Sequence, residues 1–270
     1  MAEVDLQGHV QLVLNRVTKT RTLAYCVDSP IHWLAVPVRA DRYDRPEIAF
    51  AGEAAHLRPE ITLPDVLDLA TDAGRSVRID FQSGVPVVDQ VIAMTSACDL
   101  PDSSFWFSGE LHDLSEQGIR RLRAHHPQST ISCPADFLAP LVFGALEHAL
   151  ELIEVLRGWG IDRFSLTWHQ PRVRELIGQL ERWGVEVDVT GIDDTEMMLQ
   201  AALLLPRSVT VDVNAFVPAS RSASNRWTQQ RRQALSQLVD NTRFPVVVAD
   251  PQVERAEPRV ESDQHGLLDH

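Results

Sequence analysis

The sequence predicts a (β/α)8 barrel of the TIM type, in a single domain, and three observations carry that expectation. Short β-branched runs alternate with longer helical runs along most of the chain. Eight such strand–helix units fit into about 240 residues, close to the usual length of this barrel. Alternation of this kind implies parallel strands joined by crossover helices. A doubly wound open sheet is the main rival. It would normally carry a Gly-rich phosphate turn after its first strand, and LNRVT (14–18) has no glycine.

The elements follow in order. VQLVL (10–14) reads as a strand and Thr20–Val27 as a helix. HWLAVPVR (32–39) is a second strand with a hairpin-like return at Glu47–Phe50. Thr62 caps a helix through Ala73, which Gly74 stops. Val77–Phe81 is the third strand of the barrel and Pro86–Ala97 its helix. Phe105–Phe107 is the fourth, and Ser115 caps a helix to His125. Thr130–Cys133 is the fifth, leading to one long helix, Leu138–Trp159, ended by Gly160. Phe164–Trp168 precedes the helix Pro171–Trp183, with Pro in its first turn and Gly184 after its end. Val185–Thr190 with Asp194–Leu205, and Val209–Val213 with Thr228–Val239, complete the count. Ser220–Arg226 reads as a polar loop. Residues 1–249 form the barrel domain, and 250–270, charged and without periodicity, read as a disordered tail.

Composition narrows the function. The chain has 270 residues, 44% hydrophobic and 23% charged, enough to bury a substantial core. Its formal net charge is −13, which argues against nucleic acid as a partner. A local Arg cluster could still hold one phosphate. The apolar runs are far shorter than a bilayer span, so no membrane span is expected. The first residues lack the basic-then-apolar pattern of a signal peptide. Three cysteines (Cys26, Cys98, Cys133) without metal-ligand spacing suit a reducing cytoplasm. A lone Lys19 against 24 Arg points to a GC-rich, bacterial genome.

In such a barrel, chemistry belongs to strand C-terminal ends and the loops after them. Those positions hold Asn15 and Arg16, Arg39 and Asp41, Asp80 and Gln82, Glu110 and His112, Cys133 and Asp136. They continue with Trp168 and His169, Thr190 and Asp193, Asp212 and Asn214. Asp80 and Glu110 end adjacent units. They could converge to hold Mg²⁺ or Ca²⁺, or share a proton as acid and base. Asp80 could equally cap the next helix or pair with Arg78 or Arg39. Trp168 beside His169 suits a ligand platform with a proton donor, or simple packing under a loop. Arg16 could grip a phosphate in a bidentate pair or bind a rim acid. His125-His126 lacks metal spacing, Met197-Met198 reads as core or helix surface, and Trp159 and Trp183 read as packing. Cys133 has no obvious His partner. The apolar content of Leu138–Trp159 exceeds one stripe, which fits a homodimer face or burial against the barrel.

A further pattern lies in LNRV (14–17), AVPVR (35–39), EIAFAG (47–52), ITLPDVL (61–67), RIDFQ (78–82) and GVEVDVTGIDD (184–194). In this order and spacing, over roughly Val10 to Asn214, the chain resembles the glycerophosphodiester phosphodiesterase barrels, and within them the menorin-like branch. The resemblance implies a divalent metal that polarises the phosphodiester and two histidines acting as acid and base. Asn15 stands where the first of those histidines belongs, and Ala51 or Gly52 where the second does. Ala35 and Pro37 stand at two metal carboxylates. Asp80 matches the third, but Gln82 replaces a Lys. Arg16, Arg39 and Asp80 survive of the matched positions.

The resemblance therefore implies a pseudoenzyme, a barrel that binds a small anionic ligand or a partner protein and needs no cofactor. Asp80, Glu110 and His169 would be the catalytic candidates of the alternative, a phosphodiester hydrolase or other small-molecule enzyme with a rebuilt site. There Asp80 and Glu110 would hold any divalent cation. Asn15, Arg16, Arg39, Trp168 and Asp212 are the ligand-binding candidates in either case. A third possibility is an enzyme of another barrel family, though Lys19 alone could serve a Schiff base.

Overall fold

The computed structural model describes residues 10–29, 31–41, 43, 45–48 and 60–212. Its strands are β1 (Gln11–Asn15), β2 (Trp33–Ala40), β3 (Pro46–Ile48), β4 (Ser76–Phe81), β5 (Phe105–Gly109), β6 (Thr130–Pro134), β7 (Arg163–Thr167), β8 (Glu186–Ile192) and β9 (Ser208–Asp212). Eight of them are parallel, in the order β1-β9-β8-β7-β6-β5-β4-β2, and a pairing of β1 with β2 closes the ring. The architecture is the expected TIM barrel. β3 lies outside the ring as an antiparallel return on β2, with Arg39 opposite Glu47.

The helices form the outer layer. They are α1 (Thr20–Asp28), α2 (Leu63–Ala73), α3 (Val85–Ser96), α4 (Leu111–His125), α5 (Ala139–Gly144), α6 (Leu146–Trp159), α7 (Val173–Arg182) and α8 (Thr195–Ala202). Their apolar stripes bury against the outward side chains of the strands. In α7, Val173, Leu176, Ile177 and Leu180 are buried at i, i+3, i+4 and i+7. The facing strand residues Val77, Ile79, Ile131, Phe164, Leu166, Val187, Val189, Val209 and Val211 are all at or near zero exposure. This cylinder between strands and helices is the main hydrophobic core.

Local signals set most boundaries. The Thr62 hydroxyl and the Asp65 carboxylate form a reciprocal capping box at the start of α2, and Gly74 ends it at φ 60°. Asp194 caps α8 by accepting from the Met197 N–H at 2.8 Å. Gly109 closes β5 where a Cβ would come within 3.1 Å of both Leu114 and Phe81, so the first turn of α4 can fold tightly over the strand end.

Three expectations need adjustment. The helix expected from Pro171 starts at Val173, after Arg172 at φ 60°, so Pro171 lies in the turn before it. The single helix Leu138–Trp159 is in fact α5 and α6, broken at Ala145 (φ −151°, ψ 65°). The helix expected to begin at Ser115 begins at Leu111, with Ser115 as a non-helical step inside it (φ 53°). Ser115 still caps the remainder of α4, because its Oγ accepts from the Gly118 N–H. The expected loop 220–226, helix 228–239 and tail 250–270 lie outside the described residues.

Candidate functional site

Alternate strand residues point toward the barrel axis, and here that inner face is unusually polar. Arg78 of β4 is its hub, with the side chain 6% exposed. Its Nε donates to Asp80 Oδ1 at 2.6 Å. Its Nη1 donates to Asp188 Oδ2 at 2.8 Å and to Thr210 Oγ1 at 2.9 Å, and its Nη2 to Ser108 at 3.2 Å. Asp188 is fully buried and also accepts from Ser165, Ser208 and Thr210. Burial alone would weaken the charged form of Arg78, but the carboxylates of Asp80 and Asp188 hold its pKa above the ordinary value.

Trp106 packs beside this hub. The guanidinium carbons of Arg78 and Arg163 each lie 4.4 Å from its ring centroid. Its indole N–H donates to Ser132 at 2.7 Å, and Trp33 meets it edge-on at 5.8 Å. Val13, Trp33, Ala35 and Trp106 make a small apolar cluster separate from the main core. Arg163 reaches toward the opposite end of the barrel, where it pairs with Glu186 at 2.8 Å and bonds Gln11 and Ser208. Burial lowers its pKa, an effect Glu186 partly offsets.

The mouth lies at the strand C-terminal ends. Asp80 sits there with its side chain 19% exposed, in register with Pro37 of β2 and Ser108 of β5. Burial pushes its pKa above the usual carboxylate value, against the pull of Arg78, and the charge of Asp188 adds to the rise. Of the alternatives open to Asp80, pairing with Arg78 is the one present. Asn15 and Asp212 are register partners on β1 and β9. Asn15 Oδ1 accepts from the Arg16 N–H, and Arg16, at φ 61°, sends Nη1 to Asp212 at 2.8 Å. The Arg16 side chain stays 55% exposed. Arg39 pairs with Glu47 across the β2–β3 hairpin at 2.8 Å.

The other candidates are more scattered. Glu110 precedes α4 and is exposed, and no hydrogen bond or ion pair joins it to Asp80 among the described residues. Its charge instead helps push the buried Cys133 thiol up to about 12, after the larger effect of burial. His169 is exposed in the turn after β7. Trp168 is half-buried, with Arg174 over its ring at 5.7 Å. Asp136 is engaged by Thr167, accepting from its N–H at 3.0 Å and its hydroxyl at 2.6 Å. His126 lies buried near the other end of the barrel, bonded to Asp102 and Thr95 and packed on Phe105 and Phe107.

The metal that the family resemblance implies does not fit these residues. Asp80 is flanked on the inner face by Pro37 and Ser108, its free charge is met by Arg78, and the residues at 15 and 35 are Asn and Ala. A hard divalent cation wants several oxygen ligands. Among the described residues no three His, Cys, Asp or Glu side chains group as a metal site. On the outer face, a groove of about 830 Å³ runs between α5, the start of α6 and α7. Phe143 and Leu146 are partly exposed on it, and Arg172 stacks on Phe143 at 3.7 Å. No described helix is long and apolar enough to cross a membrane.

The fold has many solved counterparts. A glycerophosphodiester phosphodiesterase from Parabacteroides distasonis superposes with a TM-score of 0.59 at 12% identity, covering 85% of this chain and 99% of its own. An Oleispira antarctica phosphodiesterase, solved with its product sn-glycerol-3-phosphate, gives 0.58 at 12% identity, with 86% and 99% covered. A thiamine phosphate pyrophosphorylase from Pyrococcus furiosus gives 0.50 at 11%, with 88% and 98% covered. No protein-family model matches the sequence, and no curated protein matches it. The shared feature is therefore the barrel, as found in glycerophosphodiester phosphodiesterases. Fold alone does not carry activity.

Proposed function

We propose that this barrel works by binding rather than by metal-dependent phosphodiester hydrolysis. One observation carries the reading: Asp80, the carboxylate that matches a metal ligand of the resembled family, has Pro37 and Ser108 as its inner-face neighbours and a guanidinium as its partner. Asn15 cannot act as acid or base where that family has a histidine. What the mouth retains is suited to holding an anion. Arg16 is more than half exposed, and a guanidinium has five N–H donors of which Asp212 takes one. The ligand is then a small anion, a phosphate ester being one that a guanidinium can grip with two parallel hydrogen bonds, held beside acids that can accept from its hydroxyls.

A partner protein is the second reading. It is favoured by the exposed Phe143, Leu146 and Val155 along α5 and α6, the stretch whose apolar content fits a homodimer face or burial against the barrel. We further take the chain to act in the cytoplasm and to resemble the menorin-like branch, the order and spacing of its motifs over roughly Val10 to Asn214 being what supports that placement.

The test is a calorimetric titration with Mg²⁺, Ca²⁺ and Mn²⁺, run beside hydrolysis of bis(p-nitrophenyl) phosphate. The expected result is no turnover with any metal. Turnover that needs a metal and disappears in Asp80→Ala would establish instead the rebuilt hydrolase around Asp80, Glu110 and His169.

A further inference from the structure

The metal misfit has a positive counterpart. We infer that the guanidinium of Arg78 is a resident cation, built into the barrel at the carboxylate where the resembled enzymes take a metal. This deepens the proposed binding function and rests on it.

The argument is one of charge and geometry. Asp80 and Asp188 are the carboxylates of the inner face that contact Arg78, at 2.6 and 2.8 Å. The remaining oxygens around that cation are hydroxyls, Ser108 and Thr210 on Arg78 itself and Ser165 and Ser208 on Asp188. Two carboxylates and several hydroxyl oxygens are what a hard cation would seek, yet the centre of the set is already a planar cation carried on a side chain. Trp106 fixes it from the side, since a guanidinium stacks on an aromatic face as a hydrated metal ion does not. A bound divalent ion would have to displace Arg78 from both acids and leave it buried without a counter-ion, which is prohibitive. The barrel is thereby committed to a permanent charge that needs no loading from solution. Arg78 acts as a positioning residue: it holds Oδ1 of Asp80, whose side chain stays 19% exposed at the strand C-terminal end.

The experiment removes the resident cation and offers replacements. Thermal unfolding is followed for the native protein, Arg78→Lys and Arg78→Ala, each alone and with millimolar CaCl₂, MgCl₂ or methylguanidinium. The native protein and Arg78→Lys should fold and ignore all three, within about 1 °C. Arg78→Ala should melt lower and regain roughly 3 °C or more with methylguanidinium or Ca²⁺, by binding to the folded state. Two results would overturn the inference: native protein whose Tm rises with Ca²⁺ or Mg²⁺ in a way that Asp80→Asn abolishes, or Arg78→Ala that folds and ignores every cation. Should Arg78→Ala not fold, Arg78→Lys is read next: a folded, metal-indifferent lysine variant supports a required charge, and a folded one that gains Tm with Ca²⁺ refutes it. Should the lysine variant also not fold, as the loss of the planar stacking group would allow, the native protein decides, supporting the inference if its Tm ignores Ca²⁺ and Mg²⁺ and refuting it if its Tm rises. These outcomes read stability, so they are separate from turnover, which tests the binding function.

Discussion

The inner layer and the mouth of this barrel share the same strands and obey different rules. In the inner layer, Arg78, Asp188 and Trp106 are buried, and their guanidinium, carboxylate and indole N–H all have partners. At the mouth, Arg16 pairs with Asp212 and Arg39 with Glu47, and both pairs have partly exposed members. The first arrangement is expensive to disturb, because removing one partner strands a charge without water. The second is inexpensive, because solvent replaces whatever is lost. Function needs the second kind of site, held in place by the first. Asp80 is the junction: it is tied to Arg78, yet its side chain is still 19% exposed.

The largest effect should come from the layer itself. Trp106→Ala removes the ring against which both guanidiniums stack and leaves a cavity beside two charges. It should cost about 3–5 kcal/mol in chemical denaturation. A loss under about 1 kcal/mol would mean that the layer is not a rigid support for the mouth. Asp80→Asn should fall between the two regimes, near 1–3 kcal/mol. Arg78 loses one charged partner but keeps Asp188. The raised pKa of Asp80 sets the pH sign. The folded state holds this proton more tightly than the unfolded chain, so its contribution falls as pH rises from the ordinary 3.8 through the raised folded value. Asp80→Asn should remove that part of the decline, which unfolding at stepped pH would show.

At the mouth, Arg16→Ala should change stability by less than about 1 kcal/mol. Its effect should appear in binding: any anion that binds at the mouth should weaken by about tenfold, and that affinity should fall with salt. Unchanged affinity for every bound anion would remove Arg16 from the proposed site.

The same contrast explains what could be read from the sequence. Helix ends with a chemical signature were readable: Thr62 and Gly74 bound α2 as expected, and Asp194 caps α8. The barrel followed from strand–helix alternation together with the number and total length of its units. Gly144 stands directly before the break at Ala145, but a single Gly inside a long helical run is also tolerated, so it did not decide the boundary. The inner layer was hidden for a different reason. In RID (78–80), in SVTVD (208–212) and in RFSLT (163–167) polar residues alternate with apolar ones, and a strand facing solvent shows the same alternation. Only ring closure turns those polar faces inward, where Arg78 meets Asp188 across 110 residues of chain. The adjacency of β4 and β5 was readable too, but the direction Glu110 takes depends on the turn into α4.

The smallest expected effect is an absence of reaction, and it tests whether the wall supporting the mouth is as closed as the layer behind it. Cys133 lies on β6 near the mouth, and Cys26 lies at the far end of α1. Both are fully buried, and burial pushes both thiols up to about 12 from an ordinary 9.0. A rise from 9.0 to about 12 leaves about a thousandfold fewer thiolates at pH 8.5 than an unperturbed thiol would have, and the thiolate is the reactive species. Cys98 is only half-buried. Native protein treated with iodoacetamide at pH 8.5 should therefore label at Cys98 alone, and all three should label in denaturant. Labelling of Cys133 but not Cys26 would show that the β6 wall opens on its own. The mouth would then be a locally mobile site and not one braced by the buried layer, and the rule separating the two regions would fail where a ligand would bind.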